Sequence, residues 1–131
     1  MGDLYLETSA GSELARARFT LGLLALHNFW YELAKEEFQK AYDEEQKACG
    51  KPFPLAMWGA AMATTMILWQ YGDCEEGGKY LKKIPSELPS WLTDLERELI
   101  ATGFELYPLH FKNCKVILYL YKNKCDESFI E

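Results

Sequence analysis

Residues that hold metals are sparse in this chain and never closely paired. Its two histidines and its four cysteines, at positions 49, 74, 114 and 125, form no C-x-x-C pair and no H-E-x-x-H. Zinc sites usually draw on ligands spaced in such pairs, so no metal and no cofactor are expected. The thiols are read as reduced and separately buried. No serine or cysteine motif supplies a nucleophile for His27 or His110 to activate, and no catalytic residue is assigned. Gly72 to Lys79 misses the G-x-x-x-x-G-K-[ST] spacing of a phosphate loop, with Tyr80 where the magnesium-holding hydroxyl would stand. Basic residues are also in deficit. Fourteen Lys and Arg face twenty Asp and Glu, a formal net charge of −6. Nucleic-acid phosphates demand clustered cations, so that class of partner is excluded and a basic protein partner is mildly favoured. Long apolar runs are missing too. Val116 to Tyr121 falls far short of the roughly 20 residues that cross a bilayer, so no membrane association is expected. Asp3 and Glu7 interrupt any signal peptide at the start, and the expected location is cytoplasmic.

What the chain has in quantity is apolar and aromatic side chain, 49% and 15% of its 131 residues. That composition supports a packed core, and the length fits one domain. The densest stretch is Arg18 to Ala41. From Arg18 to Leu26 only Thr20 and Gly22 break a nearly continuous apolar run, and a helix apolar almost all round is expected to be buried on more than one side. From Tyr31 the pattern changes. Tyr31, Ala34, Phe38, Ala41 and Tyr42 are spaced by three or four, while Glu32, Lys35, Glu36, Gln39, Lys40 and Asp43 fall mostly on the opposite side. The stretch therefore reads as two antiparallel helices, at about 13–28 and 31–48, joined by a tight turn. Gly22 and Ala34 are the small residues expected where the two cross.

Residues 1–12 read as an extended leader with Ser12 as the N-cap of the first helix. Gly50, Pro52 and Pro54 close the hairpin. A third helix is expected over 55–68, and a fourth starts near Asp73 and ends at Pro85. Thr93 and Glu96 form a capping box that opens a fifth at 94–107, which Pro108 stops or kinks. Residues 108–131 stay open between a helix, a strand and a divergent end. Their approach is apolar, through Phe104, Leu106, Tyr107, Leu109 and Phe111 into Val116–Tyr121. Self-association through residues 104–121, or membership of a longer array, is the expectation drawn from that run.

Several of these positions resemble the tetratricopeptide repeat (TPR). Leu21-Gly22 is similar to the family's Leu-Gly in its first helix. Tyr31 stands at the aromatic after the turn, and Ala34, Phe38 and Ala41 stand at the Ala, aromatic and Ala of the second helix. Trp58-Gly59 repeats the Leu-Gly position 37 residues on. Phe29 and Trp30 depart from the usual Gly-Asp of the turn, and Gln46 from the closing Pro. The resemblance implies an all-α fold of about five to six helices, with antiparallel hairpins stacked as a right-handed solenoid over 13–107, in a short or partial array. It implies a non-enzymatic scaffold whose concave face takes a peptide or partner helix, with Phe19, Leu23 and His27 of the first helix and Ala60 and Thr64 of the third facing inward, and Arg16 at the rim. Phe19 and Leu23 stand where some family members carry the Lys and Asn that clamp a C-terminal carboxylate, so that specialised activity is not expected.

A rival reading makes the chain a small-molecule or metal-binding helical domain associated with an enzyme. Trp30, Trp58, Trp69 and Trp91 with Met57, Met62 and Met66 would form its pocket, and His27, Asn28 and Glu98 its polar groups.

Overall fold

The computed structural model describes residues 8–65, 74–85 and 87–110. Among them are five α-helices and no strand: α1 Glu13–His27, α2 Tyr31–Cys49, α3 Pro54–Ala63, α4 Cys74–Lys82 and α5 Asp94–His110. The fold is all-α. α1 packs along α2, α2 along α3, and α3 receives both α4 and α5, while α1 touches α3 only slightly. None of these helices is long and apolar enough to cross a membrane.

Local chemistry sets most of the helix ends. Ser12 Oγ accepts the Ala15 N–H at 3.2 Å, which caps α1. Gly50 ends α2 in the left-handed region, at φ 67°. Thr93 and Glu96 exchange reciprocal bonds of 3.1 Å at the start of α5. Two helices differ from the expected spans. Pro54 opens α3 instead of preceding it, because the N–H it lacks has no partner in a first turn anyway. α3 then stops at Ala63, five residues early, as Thr64 and Thr65 turn their hydroxyls back onto Ala61 O and Met62 O. α5 runs past Pro108 to His110. The proposed self-associating run lies outside the described residues beyond there.

The core centres on Phe38, which is fully buried. A Cβ on Gly22 of α1 or on Gly59 of α3 would lie 2.7 Å from the Phe38 ring, so the two glycines grip it from either side. Phe19 tilts against it at 5.4 Å between centroids, and Phe53 lies 5.4 Å beyond Phe19. The nearest atoms to a Cβ on Gly22 are those of the Phe38 ring. Ala34 is buried beside it, as are Ala41 and Tyr31.

Lys35 does not lie on the wet side of α2. It is 6% exposed, and its ammonium donates to Glu32 and to Glu76 of α4, at 2.8 Å each. α4 is tethered to α2 through this bond. Burial lowers the Lys35 pKa, but the hydrogen bonds and charges of the two glutamates outweigh it, and the net shift is upward from 10.5. A raised lysine pKa stabilises the fold fully below its unfolded value and loses that contribution as pH rises through the folded one. The lysine's contribution should therefore be complete at neutral pH and be lost on the alkaline side, as pH rises past 10.5. Lys35→Ala should cost about 1–2 kcal/mol, since Glu76 is partly solvated, against less than about 0.5 for exposed Lys47→Ala. Urea denaturation at pH 7 checks this, and equal costs would rule the tether out.

Candidate functional site

Of the six residues expected to meet a partner, four are core. Phe19, Leu23, Ala60 and Thr64 are all buried, at 0–7% exposure. Phe19 packs on Phe38 and Phe53, and Thr64 Oγ1 is bonded to Ala61 O. Arg16 is half-buried, and its guanidinium donates to Ala10 O at 2.6 Å. Only His27 is exposed.

The solvent-facing apolar surface is elsewhere. Leu14, Leu21 and Leu33 are exposed, as are Phe29 and Trp30 in the turn between α1 and α2. Leu14 and Leu21 lie one heptad apart on α1, with Arg18 between them. Arg18 bonds Glu37 of α2 at 3.2 Å, and Leu33 stands one turn before Glu37. Three leucines thus flank one ion pair across the hairpin, and the exposed aromatics Phe29 and Trp30 stand in the turn at its end. The all-round apolarity of α1 is thus only half used inside the fold.

The turn itself has unusual chemistry. α1 ends with Phe29 N–H donating to Leu26 O at 3.1 Å and Trp30 N–H donating to Ala25 O at 2.8 Å. This pair of hydrogen bonds calls for a left-handed residue at the first of the two donors, normally glycine. Here it is Phe29, at φ 62°. A side chain in that region costs roughly 1–2 kcal/mol. Phe29 is nonetheless 51% exposed and Trp30 61% exposed. Among the described residues, the only ring that Phe29 approaches is Tyr31, at 6.4 Å.

A second polar constellation holds the leader. Two fully buried carboxylates face residues 9–12 from different helices. Glu45 of α2 accepts the Gly11 and Ser12 N–H groups at 2.8 and 2.9 Å. Glu96 of α5 accepts the Ser9 N–H at 2.9 Å and the Ser9 hydroxyl at 3.1 Å. Lys51 donates to Ser9 O at 3.3 Å and lies 4.6 Å over the Trp91 ring. Beside them Cys49 is exposed, not buried as expected. Desolvation, with the charge of Glu45 and a hydrogen bond to it, pushes its thiol above the ordinary range, away from a reactive thiolate. Sequence reasoning found Glu96 only as a cap and missed Glu45. Their joint role rests on a contact spanning 87 residues, which no local spacing signals.

Of the residues of the rival pocket, Trp58 and Met62 both lie against Gly103 of α5, Met57 is core, and Trp69 and Met66 lie outside the described residues. His27 and Asn28 end α1, whereas Glu98 is an exposed residue of α5, a helix that α1 does not approach. Among the described residues no group of three His, Cys, Asp or Glu is placed to hold a metal ion. Compared with known proteins, the chain matches no family model, no curated protein and no solved structure.

Proposed function

We propose that the chain is a non-enzymatic interaction module of TPR-like hairpins, and that it docks a helix of a partner protein on the outer face of the α1–α2 hairpin. The observation that carries this reading is Phe29. The backbone is held in a conformation that favours glycine, and the side chain that causes the strain faces water next to an exposed Trp30. Strain kept at a solvent-facing aromatic points to use outside the fold. Large exposed aromatics beside leucines are also the usual anchors of protein interfaces. The second hairpin supports a helix as the occupant. Trp58, which the resemblance aligns with Leu21, is covered by α5 through Gly103, whereas Leu21 is 48% exposed.

The test separates stability from binding. Phe29→Gly should relieve the left-handed strain and raise stability by about 1 kcal/mol. The same variant, and Trp30→Ala, should lose partner capture. A photo-crosslinking residue at Leu33 reads capture in cells, with one at exposed Lys47 as the control. Equal crosslinking at both positions, or capture that survives both turn substitutions, would remove the proposed face.

A further inference from the structure

We infer that the site holding Ser9–Gly11 is a receptor for extended main chain, and that the leader is its exchangeable occupant. The contacts favour this because they read backbone. Glu96 takes the Ser9 N–H, Lys51 the Ser9 carbonyl, Arg16 the Ala10 carbonyl and Glu45 the Gly11 N–H. Among the described residues only the Ser9 hydroxyl adds a side-chain bond. Groups that recognise N–H and C=O respond alike to a segment of this chain and to one from another protein. The selection they do impose is for an extended strand with small residues. A Cβ on Gly11 would come within 3.0 Å of Cys49 Sγ, and Ala10 is buried.

The receptor is also assembled from groups the leader does not supply. Glu96 is oriented by the Thr93 N–H at 3.1 Å, and Lys51 by the face of Trp91. Glu45, Arg16 and Glu96 project from three different helices. The described part of the leader, residues 8–12, contributes little apolar burial in return. Ala10 is the only buried residue of 8–12, and the buried Thr8 hydroxyl has no hydrogen-bond partner among the described residues. Exchange need not uncap α1, since Ser12 keeps its bond to Ala15 and its own N–H on Glu45. The ligand class is thus an extended peptide of small residues, donating two N–H groups to Glu96 and Glu45. An attached leader competes at an effective concentration of about millimolar, so a free peptide reaches the receptor only when the leader is displaced.

The experiment uses the full chain with Ser9→Pro and Gly11→Pro together, which removes both donating N–H groups and leaves every receptor residue intact. The probe is acetyl-Thr-Ser-Ala-Gly-amide, with its analogue N-methylated at Ser and Gly as control. Circular dichroism reports the helices, amide exchange at Ala10 reports leader release, and the Trp91 indole resonance reports binding. Expected are intact helices, leader exchange faster by tenfold or more, and peptide binding at least tenfold tighter than to the unsubstituted chain. The methylated peptide should not bind. A released leader with no peptide binding would overturn the inference. So would loss of the helices together with the leader, because the segment would then be part of the fold and not an occupant. A leader that stays bound without its two N–H groups would equally show that they are not what holds it.

Discussion

Phe38→Ala is expected to be the most damaging single substitution in this protein, at about 3–5 kcal/mol. Phe38 is completely buried, it is gripped by Gly22 and Gly59, and its ring is tilted against Phe19. Its removal would open a cavity walled by the backbones of two helices, which cannot collapse without moving those helices. An ordinary domain has about 5–15 kcal/mol of stability, so the variant should be partly unfolded at 37 °C. The converse error should be smaller but still large. Gly22→Leu forces atoms into a space the Phe38 ring already fills, at about 1–3 kcal/mol. The two effects should not add. In Gly22→Ala/Phe38→Leu the smaller ring substitute makes room for the new methyl, so the double variant should be more stable than the sum of the singles predicts. Chemical denaturation of the four proteins measures the coupling. Strict additivity would mean that Gly22 and Phe38 do not meet.

The second large effect is expected at Gly103→Leu, in the helix that closes the other side of α3. A Cβ at Gly103 would lie 2.5 Å from Trp58 Cδ1, so a larger side chain must push α5 off the indole. The cost should again be about 1–3 kcal/mol, and more if the ring cannot turn. This substitution also carries a distant signature. Glu96 belongs to α5 and holds Ser9, so displacement of the helix should speed exchange of the Ser9 amide. The neighbouring exposed change Thr102→Ala should leave both stability and Ser9 exchange nearly unchanged. A stability loss without faster exchange at Ser9 would mean that α5 shifts without carrying its first turn along.

Helix positions and their ends were largely legible in the sequence, because the interactions that set them are local. Ser12, Gly50 and the Thr93–Glu96 pair act on groups within four residues, and the spacing of Tyr31, Ala34, Phe38 and Ala41 marks one buried face of α2. The all-α class follows from those signals alone. What covers each face does not follow, since it depends on chain segments far apart. Lys35 sits at the border of the apolar stripe, and only the arrival of Glu76 made it a buried ion pair. α1 is apolar nearly all round, yet only the packing of α2 and Phe53 decided that Phe19 and Leu23 would be core and Leu21 bare. Glu45 reads as one member of an acidic helix end until Gly11 and Ser12 fold back on it. A residue's neighbours along a helix are written within a turn of it, whereas its neighbours across the fold exist only once distant segments have met.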